Sequence, residues 1–281
     1  MSSFVRHTGY VLRNNPITAA AFVGFFMLVA CALLGPSLVP YDPLSTGVGA
    51  ALSAPSSAHW FGTDHVGRDI LSRVVVAAQL DVAICLSAVF LSMVVGIALG
   101  CVAGYYGGLL DRVIGRVVDT IMAFPLFVLA MGIVAALGNT VANVVFATAL
   151  VNVPFYVRLA RAEVAIRRNA EFVSAAVLSG NSTARIIGRH LLPNVLPPLM
   201  VQMSLNLGWA VLNAAGLSFI GLGVRAPAAE WGIMVAEGAQ YVISGQWWVC
   251  LYPGLALIMA VLCFNFIGDG LRDIVDPRQR S

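Results

Sequence analysis

Six stretches of this chain of 281 residues hold no Asp, Glu, Lys or Arg: residues 17–39, 82–104, 120–137, 141–157, 195–220 and 242–268. A hydrocarbon core roughly 30 Å thick is crossed by about 20 apolar helical residues. Within lipid, backbone groups are satisfied only in helices or closed barrels, and these runs are too continuous for the short alternating strands of a barrel. They predict an all-α, polytopic membrane protein with six transmembrane helices. The fourth run is the shortest, and its end near Pro154 is soft. With 59% hydrophobic and 10% charged residues, a soluble fold is excluded.

Orientation follows from the basic residues, because cytoplasmic loops collect Lys and Arg. All sixteen are Arg. With the N-terminus cytoplasmic, thirteen fall inside (Arg6, Arg13, Arg112, Arg116, Arg158, Arg161, Arg167, Arg168, Arg185, Arg189, Arg272, Arg278, Arg280), leaving Arg68, Arg73 and Arg225 outside. Both termini are therefore expected in the cytoplasm. The net charge of +3 reports topology and gives no reason to propose a nucleic-acid partner. The five cysteines sit in or beside the apolar runs without metal or disulfide spacing, and read as packing residues. Residues 28–31 resemble a lipidation box ending at Cys31, but five more spans follow, and ordinary helix is the favoured reading.

Four units are expected: residues 1–40 as tail and first helix, 41–78 as an extracytoplasmic loop, 79–275 as a core of five transmembrane helices, and 276–281 as a cytoplasmic tail. Within the loop, residues 60–76 mix aromatic, apolar and charged side chains and suggest a helix lying at the outer interface. The inner segment 158–194 holds six Arg, a stretch of small residues, a break at Gly180 and Asn181, and Pro193. It suggests a short helix parallel to the membrane, with an ordinary solvated loop as the alternative.

Here the chain resembles a known family. Ser174, Ala175, Ala176 and Gly180, with Arg185, Ile186, Ile187, Arg189, His190, Leu191, Leu192, Pro193 and Asn194, are similar to the EAA motif of binding-protein-dependent ABC importer permeases. Gly62, Thr63, Asp64, Gly67, Arg68, Asp69, Ser72 and Arg73 resemble the outer-loop motif of the C-type subunit of the peptide and nickel branch. So do Gly104 to Gly108 with Asp111, Arg116, Asp119 and Pro125, residues 219–223 with Glu230, Trp231 and Gly232, and the terminal Phe264, Asn265, Gly268, Asp269 and Gly270. The resemblance runs from about Pro16 to the C-terminus.

It implies a type I ABC importer permease fold in a bacterial cytoplasmic membrane. The implied partners are a homologous B-type permease, two cytoplasmic ATPase subunits that bind ATP and Mg, and an extracytoplasmic substrate-binding protein. It also implies that a coupling helix at about 171–190, including Glu171, docks on the ATPase. Two positions depart from the usual pattern, Ser174 in place of Glu and Val177 in place of Arg, which removes the basis for a specific salt bridge there.

The chain is not expected to catalyse anything. Without lysine it holds no G-x-x-x-x-G-K-[ST] phosphate loop, and its four histidines suggest no metal centre. Gln202, Asn206 and Asn213 share a helical face and are candidate pathway-lining residues, with Asn152 a weaker one; interhelical hydrogen bonding is the alternative for all of them. Asp64, Arg68 and Asp69 are expected either to pair locally or to meet the binding protein. Di- or oligopeptides are the expected cargo, with nickel chelates, glutathione, D-alanyl dipeptides and opines as alternatives. A secondary transporter or channel is the rival class, and the lack of acids within the six runs speaks against it.

Overall fold

The computed structural model describes residues 16–275; the two expected tails, with Arg6, Arg13, Arg278 and Arg280, lie outside the described residues. Among these, the regular elements are all helical. They are α1 (Pro16–Leu38), α2 (Ile70–Tyr106), α3 (Gly108–Met122), α4 (Leu126–Leu137), α5 (Val141–Arg167), α6 (Glu171–Leu178), α7 (Thr183–Phe219), α8 (Trp231–Ala239) and α9 (Trp248–Val275). Five of these, α1, α2, α5, α7 and α9, are long and apolar enough to cross a bilayer.

Glycines at close backbone contacts set the helix directions. A Cβ on Gly96 of α2 would lie 2.5 Å from Tyr156 Cβ, one on Gly100 2.6 Å from the Val157 carbonyl oxygen, and one on Gly104 2.6 Å from that of Arg161. Small residues one turn apart let two backbones touch, the usual device for helix association in lipid. The contacts advance together along both helices, so α2 and α5 are parallel and the chain must cross back between them. The α3–α4 pair makes that crossing, with its axes bent by 88°. The expected third span is thus divided, because Pro125 donates no hydrogen bond and disfavours helical backbone at the residue before it.

Elsewhere the directions alternate. Gly24 and Gly270 bring α1 against α9 at Cys263 and Thr18, while Gly208 and Gly268 bring α7 against α9 at Asn265 and Ser204. In both pairs the numbering runs in opposite senses. One end of the bundle therefore collects the start of α1, the ends of α2 and α5, the start of α7 and the end of α9. Arg112, Arg116 and the six Arg of segment 158–194 lie at this end, called the Arg-rich end below.

Several helices outrun the apolar stretches. With 37 residues, or about 55 Å, α2 begins twelve residues before the expected span. There is no separate interfacial helix over 60–76: residues 60–69 form turns, with positive φ at Gly62 and Gly67, and Asp69 caps α2. The helix thus begins inside the segment 41–78 expected as a loop. At the Arg-rich end α5 continues to Arg167 and α7 starts at Thr183. Residues Ile186–Leu191 of α7 are a π-helical segment just before Pro193, whose ring would press on the carbonyl of Arg189 in a regular helix.

The α2–α5 contact admits no side chain, whereas Gly132 on α4 has nothing within 4 Å of an added Cβ. Gly100→Leu is expected to lower the unfolding midpoint of the detergent-solubilised subunit sharply, at a cost of about 3 kcal/mol or more, and Gly132→Leu to leave it within error. Thermal unfolding followed by intrinsic fluorescence measures both.

Candidate functional site

At the end opposite the Arg-rich one, turns of residues 60–69 fold on themselves before α2. The Asp64 carboxylate accepts from the backbone N–H of Val66 (3.0 Å) and Arg68 (2.9 Å) and from Arg68 Nε at 2.5 Å. Arg68 Nη2 also donates to Glu237 of α8 at 3.2 Å. Arg73, only 1% exposed, lies 3.7 Å from Asp64 and 3.8 Å from Glu237 and donates to the Pro43 carbonyl. Two buried guanidinium groups thus face two carboxylates; each ion has a counter-ion, and Asp64 and Arg73 have further hydrogen bonds to the backbone, which helps to keep charge out of water. Glu237 and Arg73 complete this cluster together with Asp64 and Arg68. A ring nitrogen of His65 lies within 4.8 Å of an oxygen of each carboxylate, both of which already pair with arginine.

Asp69 does different work. Its carboxylate accepts from Ser72 N at 2.8 Å and Ser72 Oγ at 2.7 Å, capping α2, and its other oxygen meets His59 Nδ1 at 2.9 Å. Thr63 Oγ1 donates to Ala50 O at 2.6 Å, and Gly62 leaves room for Trp248 of α9. The outer-loop motif residues are therefore buried and bind elements of this same chain to one another.

Close by, Glu230 caps α8 through the N–H groups of Gly232 (2.9 Å) and Ile233 (2.8 Å), and Asp81 of α2 accepts from Trp231 N at 3.1 Å. Burial pushes the Glu230 carboxyl above its ordinary range, against the pull of those two N–H groups. Asp81 stands one residue outside the second apolar run, twelve residues into α2, and is 3% exposed. The buried acid sits against the backbone of the loop leading into α8.

At the Arg-rich end, Arg168 Nη1 donates to the carbonyls of Gly104 (3.4 Å) and Tyr105 (3.5 Å), which ties the end of α5 to the end of α2. The chain then turns into α6. Val173 and Ala176 face inward, whereas Glu171, Phe172, Ser174, Ala175, Val177 and Leu178 are exposed, Leu178 by 89%. The helix ends at Gly180, with φ +72°, where Asn181 Nδ2 donates to the Ala176 carbonyl. Arg185 and Arg189, one turn apart, are exposed, as is Pro193; His190 and Leu192 are half-buried. A short helix held on two inward residues and bare elsewhere is a surface shaped for a partner.

The three candidate asparagines of α5 and α7 lie inside the subunit. Asn152, Asn206 and Asn213 are 0%, 6% and 4% exposed, and face the interior of this subunit. Asn213 donates to Thr148 on α5 at 2.9 Å, and Gln202, half-buried, donates to Asn206. In this conformation Gln202, Asn206 and Asn213 make contacts within and between helices, whereas the buried Asn152 amide has no hydrogen-bond partner among the described residues.

Helices long and apolar enough to span a membrane, with a short exposed helix at one end and a braced cap at the other, define an all-α polytopic membrane protein. Residues 96–281 match the family described as binding-protein-dependent transport system inner membrane component, and the chain belongs to that family. It is 44% identical to the probable D,D-dipeptide transport system permease protein DdpC of Escherichia coli K12, over 96% of this chain and 90% of that one. It is 42% identical to the dipeptide permease DppC of Alkalihalophilus pseudofirmus (96% and 88% covered), and 39% to the nickel permease NikC of Escherichia coli K12 (92% of each). In fold it is similar to an inward-facing structure of the MetNI methionine ABC transporter, with a TM-score of 0.58 and 19% identity, covering 73% of this chain and 97% of that one.

Removing Asp64 from the buried ion cluster leaves two guanidinium groups to share one carboxylate, Glu237. Asp64→Ala is expected to destabilise the subunit by about 3–5 kcal/mol. Glu163→Gln, which breaks the half-exposed Arg167 pair on the surface of α5, is expected to cost less than about 1 kcal/mol. Denaturation midpoints of the two variants measure the difference.

Proposed function

We propose that this chain is the C-type permease subunit of an ATP-driven, binding-protein-dependent importer of di- and oligopeptides. A homologous B-type subunit shares the pathway, two ATPase subunits dock at the Arg-rich end, and a substrate-binding protein delivers cargo to the opposite end. The observation that carries the reading is α6: it is held by Val173 and Ala176 and offers Phe172, Val177 and Leu178 outward, at the end that holds most of the arginines. A rigid helix seated in a groove of the ATPase converts closure of that partner into movement of α5 and α7, between which it lies in the chain.

The distribution of arginine supports a cytoplasmic Arg-rich end, with both described chain ends on that side. Peptide cargo rests on the relatives named for dipeptides. The nickel permease keeps metal chelates as a second reading, since cargo choice belongs largely to the binding protein. ATP and Mg would be bound by the ATPase partners. Asn152, Gln202, Asn206 and Asn213 reach a passage, on this reading, only if α5 and α7 part in another state of the cycle.

The test is to co-express the subunit with its genomic neighbours and reconstitute the assembly in proteoliposomes. Loaded binding protein is expected to stimulate ATP hydrolysis and dipeptide uptake together. Leu178→Asp, which puts a charge on the most exposed part of α6, is expected to abolish both while leaving the two permease subunits associated. Assembly with ATPases but no response to peptide would move the cargo to chelates, and transport without any ATPase would overturn the reading.

A further inference from the structure

A second charged surface at the Arg-rich end is left unused by the coupling helix. Asp111 and Asp119 of α3 turn toward α5, where Asp111 accepts from both Arg161 Nε and Nη2 and Asp119 accepts from Arg158 Nη2 at 2.7 Å. On the other side of α3, Leu109, Leu110, Val113 and Val117 are exposed. Between the two helices lies a recess of about 330 Å³, and Asp111, Arg112, Arg116, Asp119, Arg158 and Arg161 line it. Four guanidinium groups thus meet two carboxylates, and both carboxylates are engaged by the arginines of α5.

Arg112 and Arg116, one turn apart, make no ion pair with any carboxylate among the described residues; Arg112 reaches only the Gly108 carbonyl, at 3.4 Å. The 88° bend sets α3 crosswise to α4, its continuation toward the other end. A helix crosswise to its spanning partner, apolar on one side and basic beside it, has the form of an element lying in the headgroup layer.

We propose that α3 and the end of α5 form a binding site for an anionic phospholipid, its phosphodiester held by Arg112 and Arg116 and its acyl chains lying along Leu110, Val113 and Val117. Guanidinium forks suit the paired oxygens of a phosphodiester, and the surplus of two positive charges repels the ammonium of a zwitterionic headgroup. Inorganic phosphate shares the headgroup chemistry but has no use for the apolar side of α3. The proposal rests on the cytoplasmic assignment of the Arg-rich end and adds an inner-leaflet ligand to it.

The test is native mass spectrometry of the assembled permease complex with synthetic phosphatidylglycerol, phosphatidylcholine or inorganic phosphate added. Phosphatidylglycerol is expected to stay bound where phosphatidylcholine does not, and excess inorganic phosphate is expected not to displace it. The Arg112→Gln/Arg116→Gln double variant is expected to weaken retention roughly thirtyfold, with an unchanged unfolding midpoint and intact ATPase association. Equal retention of the two lipids, or retention untouched by the double variant, overturns the site. Displacement by inorganic phosphate would make it a free-phosphate site, and loss of the partner permease from the double variant would make it a protein interface; either refutes the lipid. Failure of the wild-type complex to hold ATPases would instead refute the importer reading.

Discussion

Everything at the Arg-rich end hangs on the contact between α2 and α5. Because Gly96, Gly100 and Gly104 carry no side chain, the two backbones run parallel in direct contact, and the ends of both helices stop at the same level. Arg168 then reaches the carbonyls that close α2, and α6 begins three residues further on. In lipid, where apolar side chains gain nothing by leaving one apolar surface for another, close packing of this kind is the main force that sets helix positions. The same contact compels the bent α3–α4 crossing, since parallel neighbours cannot be joined by a hairpin.

The opposite end is braced by a different force. There α2 extends beyond the span, and its first turns are locked by charge: Asp69 caps it, Asp64 and Glu237 hold Arg68 and Arg73, and Asp81 holds the backbone of Trp231. These contacts join the loop before α2, α2 itself and α8 into one unit. A subunit with one end braced and a bare helix at the other is suited to transmit movement along its spanning helices instead of absorbing it in its loops.

Charge-free length is the strongest signal a membrane chain carries, so the number of crossings and their alternation were legible. Helix ends were not, because hydropathy records where lipid stops and says nothing of where a helix stops. Asp81 and Arg73 broke the second apolar run, yet α2 passes through both, since each finds a partner that lies far away in the chain. Pro125 was visible, but a bend of 88° depends on what flanks it. The four-residue spacing of Gly96, Gly100 and Gly104 was the overlooked signal for the α2–α5 contact. Asn206 and Asn213 share a helical face as their spacing requires, but spacing cannot tell a face turned to a passage from one turned to a neighbouring helix, and in this structure it is Thr148 of α5 that meets Asn213.

The central claim, that α6 is where this subunit meets its motor, is tested most directly by placing a photo-cross-linking amino acid at Leu178 and, separately, at Ile243, which is 99% exposed at the opposite end. In membranes holding the co-expressed complex, illumination is predicted to join position 178 to an ATPase subunit and to leave position 243 unattached to it. An ATPase adduct at 243, or none at 178 in a complex that hydrolyses ATP, would contradict the account.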